Sequence, residues 1–225
     1  WEEAGRIDPA IGFRLFERFG VNDPHVIVHL ASRADTVGEA LALWCRFAPL
    51  AVEGDRASLS TDGAEAMMTF HFAEPSLAPW LAEHSAALVA GLAARSVGRV
   101  VQARAVTFRH RRSPAVRAIA KELLGISPRW EAPLDQVRFD RAVLDWPLIT
   151  ADRNLRSFLL PQAEARLRER EARATVVASA RRAIVARLER GEVVSTEAVA
   201  AELELGRAAR SEERRVGKEC RLTCR

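Results

Sequence analysis

The sequence predicts an α+β fold, in which helices and a small, mostly antiparallel sheet precede an all-helical segment. Three observations carry that prediction. Apolar patterns of period 3.6 and period 2 alternate along residues 7–160. A hairpin signal, Asp62-Gly63, lies between two strand-like runs. Residues 162–190 are rich in Ala, Arg and Glu and contain no Pro or Gly, a composition that favours helix.

The elements follow in order. Residues 7–33 read as two short helices around a turn at Gly20-Val21-Asn22-Asp23-Pro24. Thr36 is an expected N-cap with Glu39 as its capping-box partner. The helix it starts repeats Val37, Ala40, Leu41, Trp44 and Phe47 on one face, and Pro49 marks its stop. Ala57–Thr61 leads into Asp62-Gly63 and returns through Ala66–Phe72, so Met68, Phe70 and Phe72 share a face. Pro75 and Pro79 flank the start of a long helix that runs to about Val97. Val100 to Phe108 reads as a strand. Ser113-Pro114 opens a helix that ends near Gly125. Gln136–Phe139 is a short strand, Leu144–Leu148 an extended connection, and Asp152 the cap of a further helix.

Composition narrows the function. With 48% hydrophobic and 28% charged residues the chain is ordinary for a globular protein. No apolar run reaches the roughly 18 residues of a membrane helix. Cys45, Cys220 and Cys224 form no disulfide framework; a buried free thiol at Cys45 and a reducing, cytoplasmic setting are expected. The whole net charge of +4 falls in residues 161–225, which hold 15 basic and 11 acidic residues. Such an excess suits a phosphate backbone and also suits a solvated helix.

Enzyme chemistry finds no support. The chain lacks Tyr, a Gly-rich phosphate loop and a nucleophile elbow. His25 and His29 are four apart, but no third ligand at metal spacing accompanies them, so neither metal nor cofactor is expected. Arginines 99, 104, 109, 111, 112 and 117 occur with no acid among them. They fit a site for an anionic ligand, or a solvated turn with carboxylate partners from elsewhere. Ser195 to Leu203 reads as a capped helix with an apolar face of Val199, Ala200 and Leu203, as in the first helix of a helix–turn–helix.

Several segments together resemble one family. Phe108-Arg109-His110, the stretch from Leu134 through Phe139 and Leu144 to Pro147-Leu148, and Ala151-Asp152 resemble the sensor domain of AraC/XylS-family transcription regulators of the arabinose-binding-like type. Residues 195–203 resemble the first helix of that family's DNA-binding domain.

The resemblance implies a ligand-responsive, DNA-binding transcription regulator. Its partners would be promoter DNA and a small-molecule effector, an anion among the candidates, with a homodimer allowed. Residues 1–161 would be the effector-sensing domain, 162–190 a helical linker, and 191–210 the start of the helix–turn–helix. The family pattern breaks at Glu204, where Gly is usual, and at Arg210 and Arg214, where apolar residues are usual. Residues 211–225 match nothing in the family and read as a foreign tail, so the chain is expected to be a fragment. The competing reading is a stand-alone small-molecule binding module or a cofactorless enzyme. Candidate effector contacts are Phe70, Phe72 and Trp130 as aromatic walls and Arg109 as charged anchor. Candidate DNA contacts are Ser195, Thr196, Arg207 and Arg210.

Overall fold

The structure, a computed structural model, describes residues 2–18, 26–52 and 54–203. The expected turn at residues 20–24, Arg207, Arg210 and the tail at 211–225 lie outside the described residues. The chain divides into two compact units, Trp1–Leu167 and Arg168–Arg225.

The first unit is built on a four-stranded antiparallel sheet. Its strands are β1 (Arg56–Asp62), β2 (Glu65–His71), β3 (Ala103–Thr107) and β4 (Asp135–Asp140), in the order β1-β2-β4-β3. The hairpin loop is Gly63-Ala64, one residue later than the Asp62-Gly63 signal suggests, because Asp62 still pairs with Glu65. Gly63 has φ +54, the left-handed conformation that a two-residue hairpin loop demands at its first position. β3 is shorter than residues 100–108, and its register with β4 shifts between Ala103 and Ala105.

Cross-strand neighbours give the sheet one apolar face: Ala66 opposite Phe139 and Met68 opposite Val137. Phe70 stands opposite Asp135, so a carboxylate occupies the end of this apolar face. On the neighbouring row Gln136 donates from Nε2 to Thr69 Oγ1 at 2.9 Å, which satisfies both buried side chains.

The helices of this unit are α1 (Glu2–Ile7), α2 (Ile11–Arg18), α3 (Val26–Ser32), α4 (Val37–Phe47), α5 (Ala78–Val97), α6 (Pro114–Leu124) and the first turns of α7 (Arg153–Glu189). Local chemistry sets their ends. Thr36 Oγ1 accepts from the Glu39 N–H, while Glu39 Oε2 reaches the N–H of Asp35, one residue before the cap. Pro49 falls in a 3-10 turn, Ala48–Leu50, that closes α4. Ser113 caps α6, and Gly125 ends it at φ +67. Asp152 Oδ1 accepts from the Leu155 N–H at the start of α7. The expected extended connection Leu144–Leu148 begins later than read, because Leu144 and Asp145 close a 3-10 turn, Arg141–Asp145, and the backbone becomes extended at Trp146.

Two apolar clusters hold the unit together. The larger one joins the apolar sheet face to Phe13 of α2, Val37 and Leu41 of α4, Ala82 and Ala86 of α5 and Val116 of α6. The second joins Ile27, Leu30 and Phe47 to Ala163, Leu159 and Leu160 of α7. Polar contacts run alongside it: Arg153 and Arg156 to Asp35, Arg156 to Glu39 and Arg46 to Glu164.

The second unit contains the end of α7, a turn at Gly191 with φ +69, and α8 (Thr196–Glu202). Ser195 Oγ accepts from the Ala198 N–H, and Val199 and Ala200 are buried. Arg187 ties the turn together through Glu192, Glu202 and the carbonyl of Val193. The expected linker start at residue 162 falls within α7, which continues past Pro161. Among the described residues no helix is long and apolar enough to cross a membrane.

Candidate functional site

An apolar cavity of about 40 Å³ lies between α4 and α5, with Ala31 and Ser32 of α3 also in its wall. Its walls include Val37, Leu41 and Trp44 of α4, Leu88 and Val89 of α5, and Leu148. A smaller cavity of about 10 Å³ adjoins it, shares Val37, Leu41 and Val89, and ends on Val137 and Phe139 of β4. The spacing of these side chains explains the walls. Val37 and Leu41 are one turn apart on α4, and Leu88 and Val89 project from the face of α5 opposite them.

Polar groups at the larger cavity are few. Ser32 Oγ donates to the His29 carbonyl at 3.1 Å, and the Ser32 carbonyl accepts from Thr150 Oγ1 at 2.6 Å. Ser96, the second hydroxyl residue of the lining, accepts at its carbonyl from the Ile149 N–H at 2.7 Å.

A buried charge cluster lies elsewhere on α5. Glu83 is fully buried and accepts from Arg112 Nε at 2.6 Å and Nη2 at 3.3 Å, and it lies 2.9 Å from His110 Nε2. Arg112 also lies over the Trp80 ring, 5.4 Å from its centroid. Removing a carboxylate from water is costly, and here two donor-bearing side chains offset the cost. Two glycines let helices come close: a Cβ on Gly12 would lie 2.5 Å from Glu83 Oε2, and one on Gly5 would lie 2.8 Å from the Trp80 ring.

The candidate residues read from the sequence fall in three places. Phe70 and Phe72 stack on each other with centroids 6.3 Å apart; Phe70 is buried in the main core and Phe72 packs partly buried against it. Trp130 joins a second aromatic group, 5.0 Å from Phe108 and 5.4 Å from His110, with the Arg117 guanidinium 5.8 Å away. Arg109 is exposed, and its backbone N–H donates to Asp135 Oδ1 at 2.9 Å. Arg109 and Phe70 are therefore both neighbours of Asp135, whereas Trp130 belongs to the aromatic group. None of the four lines the cavity between α4 and α5.

Asp135 reflects its place on an apolar face. Burial pushes its carboxyl above the ordinary value, opposed by the Arg109 N–H and by the charges of His110, Arg109 and His71. The other arginines of this stretch find partners: Arg104 with Asp140, Arg111 with Glu131, Arg112 with Glu83, and Arg99 over Trp146 at 3.5 Å. Ser195 serves as the cap of α8, and Thr196 is its first residue. Among the described residues no group of three or more His, Cys, Asp or Glu could hold a metal.

The fold defines a class first. The chain is similar to the crystal structure of transcriptional regulator CdpR from Pseudomonas aeruginosa, with 21% identity, a TM-score of 0.56, and coverage of 94% of this chain and 68% of that one. At that identity the likeness shows the fold alone. No curated protein matches the chain. The family model for the N-terminal arabinose-binding domain of AraC transcription regulators matches residues 2–148, and the chain belongs to that family. It carries the sensor domain of an AraC-type regulator.

Proposed function

We propose that the protein is a ligand-responsive transcription regulator whose first unit senses a small molecule and whose α8 opens a DNA-binding domain. The observation that carries this reading is an apolar cavity within a domain of the AraC sensor family. The four effector candidates read from the sequence do not line that cavity, so the residues on α4 and α5 are the better candidates. The capped helix after the Gly191 turn favours a regulator over a stand-alone binding module or enzyme. Basic residues 207 and 210 would follow α8 and contact phosphate.

The test combines deletion of the gene, transcript profiling, and mobility-shift assays on the promoters whose output changes. We expect a small set of transcripts to change, and a small molecule to alter the shift at their promoters. Unchanged transcripts, or promoter binding that is indifferent to a broad metabolite panel, would overturn the proposal.

A further inference from the structure

The cavity between α4 and α5 differs in chemistry from what the family description suggests. That description names arabinose, a compact ring carrying several hydroxyls. Among the described residues the larger cavity is lined almost wholly by hydrocarbon, and the polar side-chain groups of its lining residues are the hydroxyls of Ser32 and Ser96 and the single indole N–H of Trp44. The Ser32 hydroxyl already donates to the His29 carbonyl. A buried sugar hydroxyl left without a partner weakens binding by roughly five- to a hundredfold, and a sugar would leave several.

Size points the same way as chemistry. The cavity of about 40 Å³ has room for about three water-sized groups, and the adjoining one of about 10 Å³ for about one more. The same three side chains, Val37, Leu41 and Val89, line both. Two adjoining compartments of this size, sharing a wall, form a slot too small for a sugar with its hydroxyls and large enough for a short aliphatic chain.

We infer that the effector carries a short unbranched aliphatic chain, and that this chain enters between α4 and α5 with its tip toward Val137 and Phe139. The inference rests on the ligand-responsive reading above and specifies the ligand class. The polar part of such a molecule would stay at the mouth of the slot, where it remains hydrated. Each methylene that enters the slot should tighten binding by roughly fourfold, until the slot is full.

The experiment is a thermal-shift and calorimetric titration of the 225-residue chain with 1-alkanols from ethanol to octanol, beside a panel of pentoses and hexoses. Expected are stabilisation by the alkanols, affinity that climbs with chain length and levels off between about four and six carbons, and no response to the sugars. The variants A40L and V89F add bulk at half-buried lining positions and should keep the melting point while losing the alkanol response. Affinity that climbs through octanol without levelling is non-specific adsorption and overturns the inference. Variants that fold and still respond overturn it too. Stabilisation by sugars but not alkanols would sink the ligand class and leave the ligand-responsive reading standing. Alkanol binding with unchanged transcripts on gene deletion would do the reverse.

Discussion

The Arg112 guanidinium lies with Nε 2.6 Å from Oε1 of Glu83, a carboxylate with no exposure to solvent. The two residues are 29 apart in sequence, and their pairing pins the segment after β3 onto the second turn of α5. Breaking such a pair from one side leaves a buried charge without compensation, which costs about 3–5 kcal/mol. We therefore expect E83Q to lower unfolding stability by about that amount in urea titrations. Replacing both partners by leucine should recover most of it. Loss of less than about 1 kcal/mol in E83Q would show that the pair contributes little.

Gly12 gives a competition between two effects. Alanine improves helix propensity by about 1 kcal/mol over glycine. Its Cβ, however, would lie 2.7 Å from Glu83 Cβ and 3.0 Å from the Trp80 carbonyl, neither of which can swing away. Overpacking of this kind costs about 1–3 kcal/mol. The clash should prevail, so G12A should melt below the parent. A raised melting point would mean that α2 slides on α5 to make room.

Asp35 sets a response to acid. The hydrogen bond from Arg153 holds its carboxyl below the ordinary 3.8, and burial opposes this while Arg156 reinforces it. The folded form binds this proton less readily than the unfolded one. Its contribution to stability is therefore complete above the unfolded value and disappears as pH falls through the folded value. Between pH 5 and pH 3 the urea midpoint of the parent should fall more steeply than that of D35N. Parallel curves would show that the Arg153 and Arg156 contacts are not maintained in solution.

Cys45 should be a slow thiol. Burial pushes its pKa up to about 11 from the ordinary 9.0, which reduces the thiolate about a hundredfold at any pH below 9. In a background carrying C220S and C224S, a disulfide reagent at pH 8 should label the native protein about a hundredfold more slowly than the urea-unfolded one. Comparable rates would place Cys45 in an open environment.

Much of this architecture was legible in the sequence where the determining chemistry is local. The Thr36, Ser113, Asp152 and Ser195 caps each act within three residues, and each occurs as expected. The hairpin was legible to within one residue for the same reason. The strand order was not, because β4 lies between β2 and β3 through pairings that no local pattern encodes. Nor was the candidate site. Arginine 109 stands out in the sequence, but which arginine turns inward depends on Glu83, an acid amid the apolar run Leu81-Ala82 and Ala86-Ala87-Leu88 of α5. That lone acid on a buried helix face was the available signal for the charge cluster. The cavity had none, since Val37, Leu41 and Val89 look like any core residues until two helices fail to close on each other.

The second apolar cluster and its polar fringe have a consequence for how the protein is made. Ser32, Arg33, Asp35, Glu39 and Arg46 find partners at Thr150, Arg153, Arg156 and Glu164, about 118 positions later. At ordinary rates of synthesis the ribosome needs roughly 6–24 s to supply them. Throughout that interval Ile27, Leu30 and Phe47 lack the α7 surface that covers them. A nascent chain halted at Leu148, where the family match ends, would present this bare patch to chaperones. The smallest expressible sensor therefore extends past Ala163, and α7 is the clasp that closes the domain as well as the way out of it.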